Sequence, residues 1–353
     1  MKVAVDVSPL SSAKKNAHKV RGVGYYVLHL LSSLQAKYPQ HQYLPFSNIS
    51  EIPQDADLVH FTYFDPFFIN LPFVKRKKYI VTVHDMIPLL FPNDFPPGIK
   101  GSMKWRVQRK LLERSDQIIT DSKCSKEDIV KLTNIPRETI TVVYLAVSDV
   151  FGQRTDASKL ENVRKKYHLP ETFVLYVGDV TANKNIPRLI RALGGRDIPL
   201  ILVGKALSAV GFDRENVWNK DMVEVERLLK KYTNIIRLGF VPDEDLAVLY
   251  KLARVFVMPS LYEGFGLPVL EAMRSGCPVV TSRRGSLPEV AGDATIYVDP
   301  ESEESILQGI RNILENDDLY KKFSVKGKEQ SHKFSWDDTA RFTQDVYTFV
   351  YNK

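Results

Sequence analysis

The sequence has little cysteine. Cys124 and Cys277 are the only two in 353 residues, which excludes a disulfide-stapled scaffold and suits reduced thiols in the cytoplasm. Long apolar runs are missing as well: the stretch at 67–74 is interrupted by Asn70 and Pro72 and then by Lys-Arg-Lys-Lys, short of the roughly 18 residues a membrane span needs. The opening MKVAVDVSPL meets polar residues by Ser11 and lacks the apolar centre of a signal peptide, so it reads as a first strand. There is no low-complexity tract, and glycine and proline are scattered, which argues against a disordered or fibrous chain. Gly22 and Gly24 open a helical pattern, but the third glycine of a dinucleotide fingerprint is absent at Val27 and the pair lies far from the first strand. A metal site has little support. Asp55-Ala56-Asp57 has a metal-like spacing, but it precedes the apolar LVHF run instead of following one, and it reads as strand-entry surface.

The length suits two domains of roughly 150 to 180 residues. Short apolar, β-branched runs (KVAVDV, DLVHF, YIVTV, QIITD, TITVVY, then FVLYVG, PLILVG, NIIRLG, RVFVMPS, PVVTS, ATIYV) alternate with helical patterns. Continuously apolar strands separated by helices indicate parallel sheets covered on both faces, so the expected fold class is α/β with two doubly wound domains. The polar stretch GQRTDASKLENVRKKYHLPE marks the seam, giving domains 1–160 and 161–334, with the amphipathic 335–353 either capping the second or packing back onto the first. The net charge of +7 comes entirely from the first half: residues 1–160 hold 22 Lys and Arg against 15 Asp and Glu, and the remainder is balanced. Such a half attracts anions, whether substrate phosphates or an anionic lipid surface; no nucleic-acid module is recognisable, so nucleic acid is not an expected partner.

The segment MPSLYEGFGLPVLEAMRSGCPVVTS reads as strand, glycine turn, helix, glycine stop, strand. Pro268 fits a first helical turn and Gly276 a left-handed terminator, which predicts a helix over 267–275. Gly264, Phe265, Gly266 and Leu267 bring backbone N–H groups and a helix N-terminus close to a ligand, a combination suited to a diphosphate. Glu263 and Glu271 stand eight residues apart, one on the turn and one in the helix, as acceptors for sugar hydroxyls. VTVHDMIP ends a strand with His84, at the edge where open α/β sheets bind ligands. Ser125 reads as a helix cap. The basic stretch GIKGSMKWRVQRKLLERSD is either a packed helix with a solvated face or one that lies on an anionic membrane.

The 263–271 segment, continued through GSLPEVAGDATIYVDP, resembles the Glu-x7-Glu signature of the family 4 retaining glycosyltransferases, which have the GT-B fold of two Rossmann-like domains facing each other across a cleft. The resemblance implies a nucleotide-sugar donor, Glu263 beside the donor sugar and Glu271 on the nucleotide ribose. LYVGDVTANKN resembles the family's Lys-Asn helix start and implies that Lys184 contacts the donor diphosphate. Asp179 departs from the pattern, since many relatives have an arginine there. The family has a similar His-Asp where this chain has His84, and its glycine loop facing donor phosphates and acceptor is matched by Gly22 and Gly24, with Arg21 beside them. Gly204, Lys205, Phe240 and Val241 fall at strand ends expected near the base. The expected activity is metal-independent, cofactor-free hexosyl transfer to a glycan or lipid-linked acceptor, in the cytoplasm or at the inner face of the membrane. The wording His-Asp-Met-Ile-Pro and Asn-Lys-Asn is similar to bacterial mannosyltransferases of surface-polysaccharide assembly, which favours a GDP-sugar over a UDP-sugar. An epimerase of the same fold and a non-catalytic nucleotide-sugar-binding protein are the alternatives.

Overall fold

A computed structural model describes residues 1–10, 22–208 and 211–353. Arg21 lies outside them. The chain forms two compact units: residues 1–92, 97–146 and 334–353 make the first, and residues 93–96 and 147–333 the second.

The first unit holds six parallel strands, β1 (Lys2–Asp6), β2 (Gln42–Phe46), β3 (Leu58–Phe61), β4 (Lys78–Thr82), β5 (Gln117–Thr120) and β6 (Ile140–Val142), in the order β2-β1-β3-β4-β5-β6. β3 and β5 are buried at every position, His60, Gln117 and Thr120 included, as strands of a sheet covered on both faces are. Sequence patterning does not find β2, because Pro45 interrupts it. Proline is tolerated there because β2 is an edge strand, where the missing N–H costs no ladder bond.

One local expectation is corrected. The Lys123–Leu132 helix is capped by Ser122, not Ser125: the Ser122 Oγ accepts the Ser125 N–H at 3.0 Å, and Ser125 is buried inside the first turn. Two serines three apart both fit a cap. The extended backbone of Ser122 decides between them.

The Trp336–Asn352 helix belongs to the first unit, and its inward face is tied there by polar groups. Tyr43 donates to Gln344 at 3.0 Å, Thr339 donates to the Tyr144 carbonyl at 2.7 Å, and the Tyr347 hydroxyl lies 2.7 Å from His60 Nδ1. His60 Nε2 meets Thr82 Oγ1 at 2.7 Å, and Thr82 in turn meets Tyr26 Oη at 3.0 Å. Burial, with a smaller contribution from the nearby His84, pushes the His60 pKa down to about 3, so this ring is a neutral structural group.

The second unit has strands β7 (Val174–Val177), β8 (Leu200–Val203), β9 (Ile235–Gly239), β10 (Val255–Met258), β11 (Val279–Ser282) and β12 (Ile296–Val298). They are again all parallel, in the order β9-β8-β7-β10-β11-β12. Val174, Leu200, Leu202, Val255 and Val257 meet Leu189, Ile190, Ile306 and Ile310 of the covering helices in one apolar cluster. Each such side chain, fully buried, contributes about 1.5–3 kcal/mol. The strand order reverses between β7 and β10. In a doubly wound sheet that reversal opens a crevice at the carboxyl ends of those two strands.

Candidate functional site

The crevice between β7 and β10 receives two loops of the second unit. After β7 the chain makes the short turn Ala182–Lys184, followed by Asn185 in the left-handed region (φ 61°) and the Ile186–Leu193 helix. After β10 it passes through Ser260 and Glu263 to the Leu267–Ser275 helix, whose bounds are those predicted from Pro268 and Gly276. The two loops are stitched together. Asn185 Nδ2 donates to the carbonyls of Pro259 (2.9 Å) and Pro300 (2.6 Å), Asn183 Nδ2 donates to Tyr262 O (3.0 Å), and the Leu261 N–H donates to Asn183 O (2.7 Å). These bonds satisfy loop backbone that burial would otherwise leave unpaired.

The result is that Lys184 and Glu263, 79 residues apart, form an ion pair: Nζ lies 2.9 and 2.7 Å from the two carboxylate oxygens. Ser260, fully buried, donates to Glu263 Oε1 at 2.6 Å. Glu263 is almost wholly buried, whereas Lys184 keeps a fifth of its side chain exposed. Burying a carboxylate is costly unless it is paired and hydrogen-bonded, as this one is. Its backbone is fixed as firmly: Ser286 donates to Glu263 O from its N–H (3.1 Å) and its hydroxyl (3.0 Å). Gly285 passes so close, at φ +58°, that an added Cβ would lie 2.5 Å from Glu263 O and 2.7 Å from its N. Gly285→Ala is therefore expected to displace the Glu263 turn and cost about 1–3 kcal/mol in urea unfolding; an unchanged midpoint would mean the turn relaxes freely.

Gly264, Phe265 and Gly266 are buried, Leu267 is half-buried, and Gly266 takes the left-handed conformation that lets the helix start there. Glu271 is half-buried on that helix, its Oε2 accepting from Tyr250 Oη at 2.9 Å. The two glutamates thus have separate partners. Gly204 follows β8 and is needed for close approach, since a Cβ there would lie 2.1 Å from Gly178 O at the end of β7. Lys205 is exposed beside it, and after β9 Phe240 is exposed while Val241 is buried. These four residues stand at the neighbouring strand ends, one and two strands from β7 on the side away from Glu263. Asp179 is exposed.

In the first unit, His84 follows β4 and its Nδ1 lies 2.7 Å from Asp121 Oδ2, just past the end of adjacent β5. Its Nε2 faces the Thr62 carbonyl at 3.2 Å. Both nitrogens therefore face oxygen acceptors, which favours the doubly protonated ring. Burial opposes that charge, but the charge and hydrogen bond of Asp121, the charge of Asp85 and the Thr62 contact outweigh it, so the His84 pKa stands above its usual value. Burial also raises the Asp121 pKa, against the opposing charge of His84. The second oxygen of Asp121 is buried without a hydrogen-bond partner. Tyr26, from the Gly22–Lys37 helix, stands edge-on to the imidazole at 4.9 Å, so the helix opened by Gly22 and Gly24 reaches His84 directly. Gly24 is buried; Gly22 is exposed, with open space where a Cβ would be.

Sequence reading missed Asp121, Ser260, Asn185 and Gly285. Asp121 directly follows the QIIT strand, and strand ends bind ligands; that is the signal that was available. The expectation for Asp55 and Asp57 is accompanied by a local explanation: Lys2 engages both, its Nζ meeting Asp55 and its N–H meeting Asp57, each at 2.7 Å. Among the described residues, no group of three or more His, Cys, Asp or Glu is placed to hold a metal ion.

Two family profiles match the chain, "Glycosyltransferase Family 4" over residues 5–150 and "Glycosyl transferases group 1" over residues 159–330. O-antigen chain mannosyltransferase B of Escherichia coli is 35% identical over 283 residues, 78% of this chain and 71% of that protein. The serotype-specific mannosyltransferase WbdA of Escherichia coli is 31% identical over 282 residues, 77% of this chain but 33% of that longer protein. Among solved structures, sucrose-phosphate synthase from Thermosynechococcus elongatus superposes with a TM-score of 0.75 at 18% identity, covering 99% of both chains. HepE of Anabaena, solved with UDP-glucose, gives 0.72 at 18% identity, covering 98% of this chain and 99% of that one. At such identities the likeness establishes the fold, GT-B, and nothing finer.

Proposed function

The chain belongs to glycosyltransferase family 4, and on that premise we propose that it moves a hexosyl group, mannose in the first instance, from a nucleotide-diphosphate sugar to a hydroxyl of a glycan or lipid-linked glycan, retaining the anomeric configuration and using no metal ion. The observation that carries this reading is the Lys184–Glu263 pair at the strand-order reversal, held by loops whose glycines and helix N-terminus suit a diphosphate. Mannose is favoured by the names of the mannosyltransferases this chain resembles; GDP as the nucleotide is part of the proposal.

In this reading Lys184 neutralises the leaving diphosphate, Glu263 holds a hydroxyl of the donor sugar, and Glu271 accepts from the ribose. The amides of Gly264, Phe265 and Gly266 complete the cradle, and Phe240 offers an exposed ring to the base. Lys205 supplies the cation that Asp179 does not: the Gly178–Gly204 contact sets it on the strand end next to that aspartate. His84, held by Asp121, donates a hydrogen bond on the sugar side, since its 3.2 Å contact to Thr62 is the weaker of its two and the one a ligand can replace. The Gly22 and Gly24 helix start serves the phosphates and the acceptor. In the reaction the bond from the anomeric carbon to the diphosphate breaks, a bond to the acceptor oxygen forms on the same face, and the acceptor proton passes to the departing phosphate. The acceptor is presented at an anionic membrane surface on the cytoplasmic side.

Thermal-shift measurements with GDP-, UDP- and ADP-sugars test the donor, with the largest upward shift expected for GDP-mannose; no shift with any of them would refute the reading. Slow hydrolysis of the bound donor is expected of an enzyme, and its complete absence would favour a binding protein. Glu271→Ala is expected to weaken nucleoside diphosphate binding about tenfold by calorimetry, the worth of one hydrogen bond to a charged group.

A further inference from the structure

The Gly98–Leu112 helix has two faces. Gly101, Gln108, Leu111 and Leu112 are buried, and Trp105 packs on the core of the first unit. Turned outward are Ile99, Met103 and Val107, spaced four residues apart and so on one stripe. Interleaved with them are Lys100, Lys104, Arg106 and Lys110, all exposed. An ordinary solvated face mixes charges of both signs; residues 98–112 contain no Asp or Glu.

A loop lies alongside. Gln108 Nε2 donates to Asn70 Oδ1, Lys104 Nζ stands 5.0 Å from the centre of the Phe68 ring, and Arg114 holds the Phe73 carbonyl at 2.8 Å. This loop exposes Phe68 (62%), Ile69, Phe73 (64%) and Val74 (65%), together with Arg76, and residues 66–78 are again free of acidic side chains. Seven of the seventeen large apolar side chains exposed among the described residues fall on these two short segments. Scattered exposed apolar groups are ordinary, whereas a contiguous set marks a binding surface.

We infer that this surface docks onto an anionic lipid bilayer, with the Phe68 and Phe73 side chains inserted at the headgroup boundary and the surrounding lysines and arginines on lipid phosphates. Charge selects this occupant. The cores of protein interfaces are depleted of lysine, and here three lysines and an arginine alternate with the apolar stripe; long basic stems lying along apolar surface with their heads at the phosphates are what a bilayer interface accommodates. No described helix is long and apolar enough to cross a membrane. The inference rests on the proposed function only for the lipid-linked acceptor, and its test needs neither donor nor acceptor.

The experiment is co-sedimentation of the full chain with vesicles of phosphatidylcholine alone or mixed with phosphatidylglycerol. Binding is expected only to the mixed vesicles and is expected to weaken as salt rises. Phe68→Ser with Phe73→Ser, and separately Lys100→Gln with Lys104→Gln and Arg106→Gln, should each lower it about tenfold or more. Thermal melting and donor hydrolysis should be unchanged in both variants, because every substituted side chain is exposed and outside the donor site. Failure of the wild type to bind mixed vesicles overturns the inference, as does equal binding by wild type and variants. Self-association of the wild type that the same substitutions abolish, without vesicle binding, overturns it in favour of a second copy of the chain. If donor hydrolysis fails while vesicle binding stands, it is the donor reading that is lost.

Discussion

Glu263→Gln is expected to lower turnover about 100- to 1000-fold while leaving nucleoside diphosphate affinity nearly unchanged. Glutamine keeps the shape and can still accept from Ser260, so the 2.6 Å contact survives, but it no longer carries a charge opposite Lys184. A hydroxyl of the donor sugar then loses its ionised acceptor. The lysine, released from its bidentate partner, remains available to the diphosphate. Lys184→Met acts in the opposite order: it leaves the Glu263 carboxylate buried and unpaired, which costs about 3–5 kcal/mol of stability, and it weakens nucleotide binding as well. The double variant should recover much of that stability without recovering turnover, because the stranded charge is gone while the chemistry is still missing. Denaturant unfolding, calorimetry with the nucleoside diphosphate and steady-state kinetics together read these effects. Small and equal losses in kcat and affinity for Glu263→Gln would sink the assignment of the carboxylate to the sugar.

The second large effect concerns pH. His84 is charged below its folded-state pKa, which Asp121, Asp85 and Thr62 hold above 6.5 despite burial. If the protonated ring is the form that serves the sugar, kcat/KM falls as pH rises through that raised value. Asp121→Asn removes the nearest negative charge, and burial, with only Asp85 and Thr62 opposing it, then drives the pKa down. The alkaline limb should move to lower pH, so that at a given pH on this limb the variant is less active than the wild type. His60 faces the same region but is neutral throughout, and Tyr26 and Tyr347 have pKa values raised by burial, so none of them titrates in this window. Asp85→Asn is expected to move the limb less. An Asp121→Asn profile lowered uniformly with its limb unmoved would make Asp121 a structural group only.

Much of this was legible in the residues. Strand and helix alternate where apolar runs and periodic patterns alternate, and the Leu267–Ser275 helix begins and ends where Pro268 and Gly276 demand. Lys184, Glu263 and His84 stand at carboxyl ends of strands that composition alone identifies. What escaped has a common character. β2 hid behind Pro45, whose acceptability depends on that strand being at the sheet's edge. Ser125 reads as the cap from its residue type, but the extended backbone that a cap needs belongs to Ser122. Asp121 looks like any aspartate after a strand, since its partner His84 is 37 residues away.

By itself, then, the sequence determined every strand but β2, the parallel character of the two sheets and the residue types at the loop that resembles the family signature, because periodicity and turn chemistry are local and are written residue by residue. Only the tertiary structure decided that β7 lies beside β10, that Lys184 closes on Glu263 and that Gly285 packs against that glutamate's backbone. Strand order and packing between segments 20 to 80 residues apart are collective outcomes of burying every face at once, and no local pattern records which neighbour a strand end will find.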